Sequence, residues 1–117
     1  MTTLKVGIRN IEGVAIVDLS GRITLGEGSV QLRDTVQNLL AEGKLNILLN
    51  LAEVTYIDSS GIGELVAAFI LLGKKQGALK LLNLTKKVHD LLQITKLYTV
   101  FEIHDDEAMA IASFRKK

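Results

Sequence analysis

Asp58-Ser59-Ser60-Gly61-Ile62-Gly63 follows the strand-like apolar run Asn46 to Ile57 and opens a very hydrophobic segment, Leu65 to Leu72. Two adjacent hydroxyls, one carboxylate and two glycines therefore stand where a strand turns into a helix. Three chemistries are open to that composition: a nucleophile elbow, a phosphate cradle, or a phosphoacceptor that a partner reads. The context also decides the fold, since strands alternating with helices build a mostly parallel sheet.

Upstream of the turn, Leu45 to Leu51 is apolar apart from two Asn residues, the composition of a strand covered on both faces at the centre of a sheet. Downstream, a helix is expected from about Ser60 to Lys75. Ile62, Leu65, Val66, Phe69 and Ile70 form one of its faces, yet Ala67, Ala68, Leu71 and Leu72 fill most of the other. A helix with almost no polar side is buried on several sides or kept in part for a partner.

Toward the start of the chain, Leu4, Val6, Ile8 and Ile11 fall near period 2 with Lys5, Gly7 and Arg9 between them, which predicts a strand with one wet face. Asn10-Ile11-Glu12-Gly13 predicts a tight turn, and Val14 to Leu19 a second, antiparallel strand ended by Ser20-Gly21-Arg22. Thr24-Leu25-Gly26-Glu27 has the spacing of a capping box, so a helix should start near Leu25. Its main face carries Val30, Leu32, Val36, Leu39 and Leu40, its solvated side Gln31, Arg33, Asp34 and Gln37, and Glu42-Gly43-Lys44 supplies a glycine stop.

Toward the end of the chain, Gly77 breaks the apolar helix and Ala78 to Leu84 predicts another strand. Thr85 is a good N-cap for a short helix carrying Val88, Leu91, Leu92 and Ile94. Tyr98 to Ile103 predicts a last strand. Asp105 or Asp106 can cap a terminal helix through Met109, Ala110, Ile111 and Phe114, with Arg115, Lys116 and Lys117 at its negative end. The expected order is β-β-α-β-α-β-α-β-α. The expected fold class is α/β, a single domain over residues 1–117 with a mostly parallel central sheet after an N-terminal hairpin, packed with about four helices.

A chain of 117 residues holds one core, not two. Hydrophobic residues make up 48% and aromatics only 4%, so that core is built of Leu, Ile, Val and Ala. Lys and Arg number 14 against 13 Asp and Glu and are scattered apart from Arg115 to Lys117, so no nucleic-acid partner is expected. The absence of Cys removes disulfides, thiolate zinc sites and cysteine nucleophiles together. Met1 to Asn10 lacks the apolar core of a signal peptide, and Leu65 to Leu72 is far short of the roughly 20 residues that span a bilayer. The expectation is a soluble, cytoplasmic domain with no direct membrane insertion.

A hydrolase elbow reads Gly-x-Ser-x-Gly, and Ile57-Asp58-Ser59-Ser60-Gly61 has Ile where the first glycine belongs. His89 and His104 are lone histidines on a predicted helix or strand end, a poor source of a catalytic base, so no catalytic residue is expected. Gly61-x-Gly63 lacks the third glycine of a dinucleotide fingerprint, Gly26-x-Gly28 likewise ends in Gln31, and Gly73-Lys74-Lys75 is not a P-loop; no cofactor or metal is expected. In the plainest account Ser59 and Ser60 cap a helix and the glycines relax the turn. That explains one hydroxyl but not the apolar helix behind it.

Tyr56-Ile57-Asp58-Ser59-Ser60-Gly61-Ile62-Gly63, with its strand before and helix after, resembles the STAS domain family of bacterial anti-sigma factor antagonists, and the likeness covers essentially the whole chain. In that family the Ser directly after the Asp is phosphorylated by an anti-sigma factor that is also a serine kinase; the unphosphorylated form binds that partner and frees the sigma factor. The resemblance implies phosphorylation at Ser59 and a partner surface of Asp58, Ser60, Gly61, Ile62 and Thr24. It also implies a phosphatase that resets the switch, and it is compatible with a homodimer. Thr24 stands where many similar members carry Asp, a departure that bears on which kinase recognises the chain. Other members are subunits of stress-sensing complexes or of lipid transporters, which implies a non-switching alternative.

Overall fold

The computed structural model describes residues 4–115. Strands β1 (Leu4–Ile11) and β2 (Val14–Ile23) are followed by α1 (Glu27–Ala41), β3 (Asn46–Ile57), α2 (Ser59–Lys74), β4 (Ala78–Leu82), α3 (Lys86–Ile94), β5 (Glu102–His104) and α4 (Glu107–Ser113). The element order is the expected one. The strands lie side by side in chain order, β1 antiparallel to β2 and the remaining pairs parallel.

Each parallel strand is added on the same side of the previous one, so right-handed crossovers carry α1, α2 and α3 to one face of the sheet. The larger core lies there, where Leu32, Val36, Leu65, Leu72, Val88 and Leu92 pack on Val17, Leu19, Ile47, Leu49 and Leu81. Helix α4 covers the other face, setting Ala110 and Ile111 against Val14, Ile16, Leu48 and Leu82. Ile47, Leu48 and Leu49 of the central strand are thus buried from both sides, as their uninterrupted apolar run predicts.

Several local expectations yield to long-range contacts. The hairpin turn is Glu12 and Gly13 alone, both with positive φ, while Asn10 and Ile11 stay in β1. Ser20-Gly21-Arg22 does not end β2, because the strand continues with register shifts and pairs Arg22 with Tyr56 and Ile23 with Ile57 of β3. Residues with turn propensity are held extended there by a longer partner strand.

Thr24-Leu25-Gly26-Glu27 forms no capping box: α1 has Gly26 as its N-cap, and the Thr24 carbonyl accepts both the N–H of Ser29 at 3.0 Å and its hydroxyl at 2.9 Å. Val30 is exposed, and Leu32, Val36 and Leu39 make the inward stripe. On α2 the inward stripe is Ile62, Leu65, Ala68 and Leu72, with Ile70 turned outward. That helix ends on Gln76 in the left-handed conformation, φ 63°, rather than on Gly77.

Thr85 caps α3 by accepting from the Val88 N–H at 3.4 Å, and Asp106, not Asp105, caps α4 by accepting from Met109 at 2.9 Å. Ile94 and Met109, apolar residues of these two helices, are exposed. The last strand begins only at Glu102. Tyr98, Thr99 and Val100 are used in a turn, the Val100 N–H donating to the Leu97 carbonyl at 3.0 Å, which delivers Phe101 edge-on to Phe69. Arg115 pairs with Glu12, while Lys116, Lys117 and Met1 to Thr3 lie outside the described residues. No described helix is long and apolar enough to cross a membrane.

Candidate functional site

Parallel strands that all end on one side bring their following loops together, and the Asp58 turn stands at that edge beside the β2–α1 loop. The Asp58 backbone N–H donates to the Ile23 carbonyl at 3.3 Å, fixing the end of β3 against the end of β2. Its carboxylate then accepts two backbone N–H groups, Gly61 on Oδ1 at 3.0 Å and Leu25 on Oδ2 at 3.0 Å. One oxygen caps α2 while the other latches the neighbouring loop. The Leu25 N–H holds the Asp58 carboxyl below the usual carboxylate range, and the Gly61 N–H adds to the effect.

Ser59 is the first residue of α2 and is exposed, with Ser60 half-buried beside it. A residue at that position lies at the positive dipole end of the helix, where added negative charge is tolerated. Thr24 is half-buried and joined to the turn through the next residue, Leu25, whose N–H meets Asp58. The structure therefore brings Asp58, Ser59, Ser60 and Thr24 together.

Gly61 and Ile62 sit differently from the expected contact surface. Gly61 is buried so tightly that a Cβ there would lie 2.5 Å from the Ile23 carbonyl oxygen and 2.6 Å from Ile57 Cγ1. Ile62 is only 5% exposed and belongs to the main core. Both residues support the turn from beneath, because a parallel sheet of this depth needs the first turn of α2 pressed onto the ends of β2 and β3. Gly28 permits the matching approach of α1, its hypothetical Cβ falling 2.6 Å from the Arg22 carbonyl oxygen.

The residues that face outward beside Ser59 include some that local pattern does not reveal. Leu25 is 79% exposed on the latched loop, an apolar side chain held in water by the Asp58 bond. Gly63, Ala67 and Ile70 continue an exposed small and apolar stripe down α2 from Ser59. Tyr56 is 38% exposed, with the Arg22 guanidinium 5.2 Å and Lys87 Nζ 5.4 Å from its ring centre. The Leu25 signal is an apolar residue between Thr24 and Gly26, but a capping-box spacing hides it inside a helix.

Neither histidine is hydrogen-bonded to Ser59 among the described residues: His104 Nε2 meets a Glu102 oxygen at 2.6 Å, and the His89 ring stacks edge-on against Tyr98 at 4.8 Å. Among the described residues no three metal-ligating side chains cluster. What the arrangement offers chemically is one accessible hydroxyl on a rigid turn with an exposed apolar neighbour.

The family model described as STAS domain matches residues 5–110. An anti-sigma F factor antagonist from Paenibacillus polymyxa is 29% identical over 111 residues, covering 92% of each chain. An anti-sigma-B factor antagonist from Bacillus subtilis (strain 168) is 31% identical over 100 residues, 86% of this chain and 90% of its own. The crystal structure of an anti-sigma factor antagonist from Mycobacterium paratuberculosis superposes with a TM-score of 0.87 at 19% identity, over 98% of this chain and 97% of that one. At that identity the superposition speaks for the fold.

Proposed function

This chain belongs to the STAS domain family, and from that premise we propose that it is an anti-sigma factor antagonist controlled by phosphorylation of Ser59. The observation that carries this is the exposure of Ser59 at the first residue of α2, on a turn that Asp58 holds rigid through Leu25 and Gly61. The unmodified chain binds an anti-sigma factor that is also a serine kinase, through Ser59, Ser60, Thr24, Leu25 and the outward stripe of α2. The kinase transfers the γ-phosphoryl group of ATP to the Ser59 hydroxyl, whose proton passes to the kinase as ADP leaves. A phosphatase reverses the state by hydrolysis, releasing inorganic phosphate. The chain itself supplies binding and an acceptor, not turnover, and acts in the cytoplasm where sigma factors work.

Phosphorylation adds about 1.5 to 2 negative charges to a turn that already holds Asp58. The N-terminus of α2 tolerates that charge, so the fold persists. A partner surface matched to Leu25 and a neutral hydroxyl does not, because desolvating an unpaired charge costs several kcal/mol, and about 3 kcal/mol weakens binding more than 100-fold. Incubation with the cognate kinase and ATP, followed by mass spectrometry, is expected to find one phosphate on Ser59 and none in Ser59→Ala. Phosphate on another residue, or on none, would sink the switch.

A further inference from the structure

Arg22, Tyr56 and Lys87 form a cationic cluster that the switch as described does not use. The Arg22 and Lys87 charges both lie within cation–π range of the one Tyr56 ring, at 5.2 Å and 5.4 Å. Neither has a carboxylate partner among the described residues, which is also true of Lys5, Lys44, Lys74, Lys75 and Lys96; what sets Arg22 and Lys87 apart is that both converge on one aromatic ring. The three residues come from β2, β3 and the first turn of α3, so the fold assembles them. The backbone sets them beside the acceptor. Arg22 directly precedes Ile23, whose carbonyl accepts the Asp58 N–H, and Tyr56 lies three residues before Ser59, a span of at most about 11 Å.

We propose that Arg22 and Lys87, spaced by Tyr56, are a specificity-determining docking pair for an acidic patch on the anti-sigma factor; this rests on the function proposed above. Unpaired cations around a half-exposed aromatic ring offer charge-assisted hydrogen bonds and a flat apolar contact to carboxylates approaching the Ser59 face. Two cations on a chain of net charge +1 are too few for a nucleic-acid backbone, which is bound by many basic contacts. The pair also sharpens the switch. Phosphate on Ser59 repels the partner's carboxylates and competes with them for the same cations.

The test titrates each purified anti-sigma factor encoded in the same genome with the unmodified full chain and with Arg22→Glu/Lys87→Glu, at low and high salt. The charge reversal is expected to weaken binding at least about tenfold at low salt and to remove most of the salt dependence, while Arg22→Lys/Lys87→Arg stays within about threefold. Arg22→Gln/Lys87→Gln replaces the reversal if that variant melts early. Equal affinity and equal salt dependence in wild type and variant overturn the docking pair and leave the antagonist function standing. No binding of any anti-sigma factor by the wild-type chain overturns both. Duplex DNA bound by the wild type and lost on charge reversal, with anti-sigma factor binding unchanged, would reassign the cations and overturn the pair as well.

Discussion

Asp18 and Asp58 both carry carboxyls held below the usual range, but they fasten two regions of the molecule by different means. Asp18, on the α4 side of the sheet, meets charged and polar side chains: Arg9 at 2.7 and 2.9 Å and Asn50 at 2.8 Å, with Arg9 also reaching Glu107 of α4 at 2.7 and 3.0 Å. That network ties three strands to a helix and uses up its own polar groups. Asp58 instead accepts from backbone N–H groups and takes no neighbouring side chain as its partner. The difference teaches how one sheet keeps a closed side and an open one. Where side chains satisfy each other the surface is finished; where the backbone does the fastening, Ser59, Leu25 and Tyr56 remain available to a partner.

The widest gap between the two regions should come from Asp58→Ala. It removes the cap of α2 and the latch on Leu25 together, so stability is expected to fall by about 2 kcal/mol in urea unfolding, with partner binding lost in the same variant. Arg9→Ala should cost less, about 1 kcal/mol, since its ion pairs are more than a third exposed and solvent-screened, and it should leave partner binding unchanged. Loss of partner binding in Arg9→Ala at full stability would erase the distinction between the open side and the closed one.

Acid gives a finer contrast. Each carboxyl titrates lower in the folded chain than unfolded, so the unfolded state takes up protons first as pH falls. The stabilisation is complete above the ordinary carboxylate range near about pH 4 and is lost as pH drops through the folded values. Thermal melts between pH 7 and 2 should show this loss, and Asp58→Asn should flatten it by one group's share. An unchanged acid slope in Asp58→Asn would show that the latch is not carried by the charge.

Much of this architecture is legible from residues whose partners are close in sequence. The apolar run through Leu49 marks the central strand, Thr85 and the Asp105-Asp106 pair mark helix starts, and Asp58-Ser59-Ser60-Gly61 marks the turn. What local pattern misreads depends on distant contacts. Ser20-Gly21-Arg22 looks like a terminus but is held in β2 by Glu53, Val54 and Tyr56. Tyr98 to Val100 has strand composition but turns so that Phe101 can reach Phe69. Thr24 to Glu27 has cap spacing, yet the bond from Leu25 to Asp58 crosses from another loop and moves the helix start. The same reasoning separates the site: the acceptor turn can be read from one stretch, whereas Leu25 exposure and the convergence of Arg22 and Lys87 on the Tyr56 ring exist only once the elements have docked.

Calorimetric titration of the cognate anti-sigma factor with unmodified chain and with chain phosphorylated at Ser59 tests the central claim most directly. The account predicts at least about 100-fold weaker binding of the phosphorylated chain, with its melting temperature essentially unchanged. Equal affinity of the two forms, or loss of binding accompanied by unfolding of the phosphorylated chain, would contradict it.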